Sequence, residues 1–281
     1  MSTVRPVLSK YSLRMSFYFA LLLTILFWRN ALACQLTLKV SLNEDWSPYV
    51  VNSGEEFNGL EIEILNLILK RVDFCAKYIV LPSSTRAFKE LIEDRLDLIL
   101  GASFTEERAS YANFSERYRD EEILLFRATN QPLLDFSINT PFFELDPLLF
   151  KNTRIAVNRG SKFGGEFDAF IKQYANQIAE TTLSRQRFDL LKIGRVDYAV
   201  EDRLTGYALM SEAGYAGQVV STGIVVHKNP IFYMLRPGVL SATQMNIFNQ
   251  SIIDSQPQIE QLINSYILQY IANKPSKTSP E

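Results

Sequence analysis

The sequence predicts an α/β protein with two lobes of similar architecture, each a mostly parallel sheet flanked by helices. The first observation is that strand and helix signals alternate, and that the strand segments are nearly continuous apolar runs, as in buried parallel strands. The second is a repeated motif, RLDLIL at 95–100 and RVDYAV at 195–200, which in both places follows an amphipathic helix and runs into polar residues. A match of six residues is weak alone, but its place in the alternating pattern favours two related lobes.

The first lobe is predicted from five segments before residue 126. Apolar runs predict strands at 36–42, 77–82 and 96–102, and amphipathic patterns predict helices at 59–72 and 85–94. An apolar run at 121–128 then leads into residues 130–150, where three prolines break the pattern. We therefore expect the chain to cross into a second unit here.

The second lobe shows the same alternation. Strands are predicted at 154–160 and 196–202, and helices at 164–174, 185–194 and 203–214. An extended segment at 223–238 crosses back, and an amphipathic stretch at 241–267, interrupted near Pro257, follows. The expected organisation is a first lobe of 34–126 plus 231–271, a second lobe of 127–230, and a loose tail at 272–281.

Residues 1–33 have the pattern of a cleaved secretory signal peptide. Three basic residues precede the uncharged run MSFYFALLLTILFW, and Ala31 and Ala33 form an Ala-x-Ala site. The run of 14 residues is shorter than the ~20 that a membrane span needs. An uncleaved N-terminal anchor is the alternative. With the signal removed, the protein would be periplasmic.

The mature chain would hold both cysteines, Cys34 and Cys75. An oxidising compartment favours a disulfide. Each cysteine precedes a predicted strand, so a bridge is possible if these strands are parallel neighbours. The alternative is a lipoprotein acylated on Cys34, although Ala31 stands where a lipobox prefers leucine.

Charge and histidine content limit the function. Without residues 1–33 the chain has 25 Lys and Arg against 31 Asp and Glu, which argues against nucleic acid as a partner. His227 is the single histidine, so a catalytic triad or a histidine-rich metal site would depend on it alone. A surface or packing role is expected for it. We expect no metal and no cofactor.

The segment GASFTEERASYANFS at 101–115 is the strongest candidate for a binding site. It follows a predicted buried strand, and ligands bind outside the carboxyl ends of such strands. Small residues from Gly101 to Ser103 allow close approach to the backbone, a helix begins near Thr105, and Arg108 offers a planar fork for a carboxylate. Alternatively, Arg108 only pairs with a nearby acid such as Glu106 or Glu107.

Several motifs resemble the family 3 extracellular solute-binding proteins, which are the amino-acid-binding type 2 periplasmic binding proteins. The similarity covers nearly all of the mature chain and is most specific at 101–118. The motifs are NGLEIE at 58–63, RLD at 95–97, GASFTEER at 101–108, FSERY at 114–118, AVNRGS at 156–161 and DYAVED at 197–202.

The resemblance implies two lobes of the type 2 periplasmic binding protein fold, joined by two crossing strands and closing on a ligand in the cleft. It implies that Arg108 binds the ligand's α-carboxylate and that Asp202 binds its α-ammonium. Gly101 and Ser103 would contribute backbone or hydroxyl contacts, and Gly160 and Ser161 would add donors from the second lobe.

Four further positions bear on specificity. Trp46 falls where the family often has an aromatic wall, or it packs under the turn at Pro48, as Tyr49 is expected to do. Some amino-acid binders have a second aromatic residue where this chain has serines at 83 and 84. Polar-amino-acid binders often have an acid two residues after the core of the first strand, where this chain has Asn43-Glu44-Asp45 in uncertain register. Arg86 either enters the cleft, where it could recognise a second acid, or lies on a helix surface.

The resemblance implies a monomeric periplasmic receptor that captures an amino acid or a similar small carboxylate, without catalysis. It would deliver the ligand to an inner-membrane ABC permease. One alternative is a dehydratase of the arogenate or prephenate type, for which Glu201 is the only acid to nominate. Another is a sensory role through a membrane partner.

Overall fold

The computed structural model describes residues 34–43, 46–54, 56–131, 142, 150 and 152–272. The predicted signal peptide, the end of the predicted tail and most of the proline-rich segment lie outside the described residues. Two α/β lobes share one sheet, so the predicted fold class is confirmed.

The first lobe contains a parallel three-stranded unit. Strand β1 (Leu36–Asn43) lies between β4 (Phe74–Leu81) and β5 (Leu98–Ser103). A short hairpin of β2 (Val51–Asn52) and β3 (Phe57–Asn58) precedes the first helix. The helices are α1 (Leu60–Arg71), α2 (Ser84–Ile92) and the single turn α3 (Glu106–Ala109).

The second lobe repeats this order. Strand β8 (Ile155–Asn158) lies between β9 (Ile178–Thr181) and β10 (Tyr198–Asp202), all parallel. The helices are α4 (Gly165–Gln173), α5 (Ser184–Lys192) and α6 (Arg203–Ser211). Strand β9 is an element that the sequence analysis did not predict. It lies at the edge of the sheet and follows a 3₁₀ turn at Ala175–Gln177.

Two long antiparallel strands connect the lobes. These are β7 (Arg119–Ala128) and β11 (Val219–Leu235). At one end β11 pairs with β5 and with the short β6 (Asn113–Phe114), and at the other end β7 pairs with β10. The sheet therefore runs β4-β1-β5-β11-β7-β10-β8-β9 through both lobes. Because β7 and β11 carry the chain across, they are the elements about which the lobes can rotate.

The aspartate of the repeated motif forms the same hydrogen bonds in each lobe, just before β5 in the first lobe and just before β10 in the second. The Asp97 carboxylate accepts the Lys39 backbone N–H at 2.9 Å, and the Asp197 carboxylate accepts the Arg154 backbone N–H at 2.7 Å. The backbone N–H of each aspartate bonds back to the same neighbour. The motif is thus structural, and it fixes β5 against β1 and β10 against β8.

The disulfide joins Cys34 to Cys75, with a Cα–Cα separation of 5.7 Å that is typical of such bridges. Strand β4 begins at Phe74, earlier than predicted, and places Cys75 opposite Thr37 of the parallel strand β1. The expected side-by-side arrangement of the two strand starts is therefore present.

The C-terminal region returns to the first lobe as two helices. These are α7 (Ala242–Asp254) and α8 (Gln256–Ala272), which are separated at Ser255, two residues before Pro257. Phe248 and Ile252 of α7 and Ile259 of α8 are buried in the same hydrophobic core as α1. None of the helices in the described ranges is long and apolar enough to span a membrane.

Candidate functional site

A cavity of about 290 Å³ lies between the lobes, at the carboxyl ends of β1, β5, β8 and β10. This is the position at which open α/β sheets bind ligands. Seven of the eight predicted ligand residues line it: Trp46, Gly101, Ser103, Arg108, Gly160, Ser161 and Asp202. The exception is Arg86, which is exposed, does not line the cavity and pairs with Glu90 at 2.5 Å one helical turn later. Of the two positions expected for Arg86, the structure therefore shows the one on the helix surface.

Arg108 presents a half-buried positive charge from the first lobe. The Thr105 hydroxyl caps α3 by accepting the Arg108 backbone N–H at 3.1 Å, and Arg108 Nη1 donates to the Ser103 carbonyl at 2.8 Å. The guanidinium lies over the Phe88 ring, 4.7 Å from its centroid. Burial lowers the pKa of Arg108. Among the described residues no carboxylate lies within ion-pair distance of it, so its charge is available to an anion in the cavity.

Asp202 presents a buried carboxylate from the second lobe. It ends β10 and caps α6: its Oδ1 accepts the backbone N–H groups of Leu204 at 2.9 Å and Thr205 at 3.0 Å. The Tyr49 hydroxyl donates to the same oxygen at 2.9 Å. Within the described part of the chain, Oδ2 has no hydrogen bond, so Asp202 can be held in place and still bind a cation. Burial raises the pKa of Asp202, while the Thr205 hydrogen bond and the Arg119 charge oppose that rise.

Gly101 lines the cavity, but its backbone N–H is engaged within the protein. Its N–H donates to the Tyr118 hydroxyl at 3.0 Å and is therefore not free for a ligand. Instead, its lack of a side chain makes room for Trp46, because a Cβ at this position would lie 2.2 Å from the indole Cη2. Trp46 in turn packs against Tyr49, with ring centroids 4.9 Å apart. Trp46 thus both packs and lines the cavity.

A buried polar network underlies this aromatic wall. The carboxylate of Glu61 accepts from Arg119 Nε at 2.6 Å and from the Tyr118 hydroxyl at 2.6 Å. The Arg119 guanidinium lies 4.5 Å from the Tyr49 ring centroid. The Tyr118 hydroxyl also accepts the Gly101 N–H, and the Tyr49 hydroxyl donates to Asp202. The network therefore connects Gly101 of the first lobe to Asp202 of the second.

Glu201 is engaged in a buried ion pair. Its carboxylate accepts from Arg187 Nη2 at 2.5 Å and Nε at 3.2 Å, and from the Asp202 backbone N–H at 3.1 Å. Arg187 also bonds Thr181 and Ser184. A carboxylate held in this way is poorly placed to donate a proton, so the structure does not support the nomination of Glu201 as a general acid.

The remaining predicted positions lie on the second lobe. Gly160 and Ser161 form the turn after β8, and the Asn158 side-chain amide donates to the Ser161 hydroxyl at 2.7 Å. His227 lies on β11 and packs against Gly164, where a Cβ would be 2.6 Å from the imidazole Nδ1. It does not line the cavity, which agrees with the packing role expected for it.

The sequence analysis missed Glu121, a half-buried acid on β7 that lines the cavity. Burial, followed by the negative charge of Asp202, raises the pKa of Glu121 to about 7. In the sequence, Glu121 is a polar residue two positions before the apolar run at 123–126. Such a position by itself predicts an exposed strand end.

Comparisons with known proteins agree with this architecture. A sequence model of the bacterial extracellular solute-binding proteins, family 3, matches residues 38–274. A search of curated protein sequences finds no significant match.

Three solved structures illustrate the likeness. A histidine kinase sensor domain with similarity to periplasmic binding proteins is 18% identical over 84% of this chain and 97% of its own, with a TM-score of 0.67. The P235GK mutant of ArgBP from T. maritima is 18% identical over 84% and 95%, with a TM-score of 0.64. The ligand-binding core of GluR0 with L-glutamate is 20% identical over 82% and 98%, with a TM-score of 0.65. These are binding proteins and a sensor domain rather than enzymes, and at such identities they establish the fold alone.

Proposed function

Because the chain belongs to the family 3 bacterial extracellular solute-binding proteins, we propose that it binds an α-amino acid in the cleft between its lobes. One observation carries the proposal: an unpaired guanidinium and a carboxylate with a free oxygen line one cavity from opposite lobes. Arg108 receives the α-carboxylate and Asp202 Oδ2 receives the α-ammonium.

This arrangement couples binding to closure. A zwitterion carries both charges a short distance apart, so it satisfies Arg108 and Asp202 together only when the lobes are close. The hinge strands β7 and β11 permit that motion. Ser103 and Ser161 supply hydroxyl groups on the two sides of the cavity, and Trp46 supplies an apolar wall beside Gly101.

The proposal extends to the location of the protein. Residues 1–33 act as a cleaved signal peptide, and the Cys34–Cys75 disulfide is consistent with an oxidising periplasm. There the monomer delivers its ligand to an inner-membrane ABC permease. The alternative is that the closed protein contacts a membrane sensor. A deletion strain distinguishes the two, because loss of ligand uptake indicates transport and loss of a ligand-dependent signalling response indicates sensing.

The test is a binding titration of protein that begins at Cys34. Bound ligand is first removed by unfolding and refolding. Protein that begins at Cys34 lacks Trp28, so Trp46 is its only tryptophan. Trp46 emission and isothermal titration calorimetry are followed against α-amino acids and against their amides and N-acetyl derivatives. We expect saturable binding of at least one amino acid and no binding of its blocked derivatives.

Matched variants assign the contacts. Arg108→Gln should weaken binding by about a hundredfold or more, since it removes a charge-assisted, two-bond contact. Arg117→Gln is the control, because Arg117 is an exposed arginine nearby that pairs with Asp120 at 3.1 Å. Equal binding by both variants, or binding of blocked derivatives as tight as that of the free amino acid, would refute the proposal.

A further inference from the structure

Glu121 lies on the same face of the sheet as the proposed ammonium site. Strands β7 and β10 are antiparallel, with Ile123 opposite Asp202. Side chains two residues apart on a strand share a face, so Glu121 points to the same side as Ile123. Both Glu121 and Ile123 line the cavity. Glu121 and Asp202 are therefore diagonal neighbours at the floor of the cleft, close enough for one ligand to contact both.

No other side chain in the described ranges satisfies the Glu121 carboxylate. Burial and the Asp202 charge raise its pKa, and the Arg119 charge opposes that rise. Arg119, two residues earlier, is the nearest candidate partner. Its Nε is bonded to Glu61, and its guanidinium lies over the Tyr49 ring without reaching ion-pair distance of Glu121.

The charges that line the cavity balance with a simple zwitterion only if Lys162 is counted against Glu121. Two of the lining arginines are paired within the protein, Arg187 with Glu201 and Arg159 with Glu180 at 3.5 Å. Lys162 is exposed at the rim and can extend into solvent. An α-amino acid neutralises Arg108 and Asp202. It leaves the half-buried carboxylate of Glu121 opposed by the charge of Arg119, which is already paired with Glu61, and a carboxylate without its own ion-pair partner is costly in a closed cleft.

We propose that the ligand is an α-amino acid with a second cationic group, and that Glu121 binds this group at the floor of the cleft. The inference rests on the proposed function, since it assumes that Arg108 and Asp202 bind the α-carboxylate and the α-ammonium. It makes Glu121 a specificity-determining residue. Its position beside Asp202 favours a short spacing between the two cationic groups, as in diamino acids.

The test compares pairs of amino acids that differ in one charged group. 2,4-Diaminobutyrate, ornithine and lysine are each titrated against the neutral, unbranched amino acid of the same carbon chain length, with calorimetry at pH 8. We expect at least one cationic member to bind about 10- to 100-fold more tightly than its neutral partner, as one charge-assisted contact implies.

Two variants separate recognition from structure. Glu121→Gln should reduce the cationic-to-neutral ratio to near one, with the affinity for neutral amino acids equal to or higher than that of the parent, because the substitution removes a half-buried charge from the closed cleft. Glu122→Gln is the matched control, because Glu122 faces the other side of β7 and pairs with Arg203 at 2.6 Å. A purely structural role of Glu121 would weaken both members of each pair equally. If Glu121→Gln does not fold, Glu121→Asp keeps the charge and should shift the preference to a longer diamino acid.

The outcomes are distinct. Neutral amino acids that bind as tightly as their cationic partners would overturn the inference and leave the proposed function intact. A cationic preference that survives in Glu121→Gln, or an unchanged optimal length in Glu121→Asp, would overturn the role of Glu121. Failure of every amino acid to bind would remove the proposed function, and the inference with it.

Discussion

Replacement of Gly101 by alanine tests whether the aromatic wall holds the binding site in shape. Gly101 has a φ of 65°, and a Cβ there would lie 2.2 Å from the Trp46 ring. The structure offers a matched control in Gly194, which has a φ of 67° and nothing within 4 Å of its Cβ position. The two substitutions share the backbone strain and differ in the clash.

The difference between them can be estimated from these contacts. A non-glycine residue in the left-handed region costs about 1–2 kcal/mol, and this is all that Gly194→Ala should lose. Gly101→Ala adds overpacking, which costs about 1–3 kcal/mol more, because Trp46 is confined by Tyr49 on its other side. The displaced indole would also disturb the Tyr49 hydroxyl that holds Asp202.

Urea unfolding and ligand titration together provide the assay. We expect Gly101→Ala to lower the free energy of unfolding by about 2–5 kcal/mol and to weaken ligand binding at least tenfold. Gly194→Ala should lower it by about 1–2 kcal/mol and bind normally. If both variants lose the same stability and both bind as the parent protein does, the proposed dependence of the site on the Trp46 position is wrong.

Two further predictions concern charge and the disulfide. Glu121→Gln should stabilise the ligand-free protein by up to about 3 kcal/mol at pH 8 and by less than about 1 kcal/mol at pH 5. The folded-state pKa of Glu121 is about 7 and exceeds the usual 4.5, so the parent protein loses stability as the pH rises between these values. Urea unfolding of both proteins at pH 5 and pH 8 checks this, and a variant less stable than the parent at pH 8 would contradict it. Replacing Cys34 and Cys75 with serine should cost about 4 kcal/mol, because the bridge closes a separation of 41 residues. Dithiothreitol should then lower the melting temperature of the parent but not of the variant; equal melting temperatures without reductant would contradict the prediction.

The sequence predicted most of the fold because buried parallel strands produce a strong local signal. The apolar run of β1 and the amphipathic pattern of α1 are visible without tertiary context. Strand β9 was missed because it is a four-residue edge strand, IAET, which among the described residues pairs with β8 alone. Its stability comes from that pairing and not from local propensity, which sequence patterns cannot register.

The sequence predicted those parts of the site that have a local signal and missed those that depend on distant residues. Arg108 could be identified because its signal is local: small residues, a helix start and a cation within eight positions. The hydrogen bond between Tyr49 and Asp202 could not be identified, since it joins residues 153 positions apart. Glu121 was missed because its chemistry depends on burial against the second lobe, whereas its local sequence is that of a polar strand end.

The two lobes show how a repeated unit can acquire opposite charges. Asp97 and Asp197 form equivalent hydrogen bonds at the beginnings of strands β5 and β10. They differ at their carboxyl ends, where Gly101-Ala102 of one strand corresponds to Glu201-Asp202 of the other. The small residues of β5 leave space for Trp46 and for an anion beside Arg108, while β10 supplies the carboxylates. Because both ends meet at one cavity, this divergence produces a site for a ligand that carries both charges.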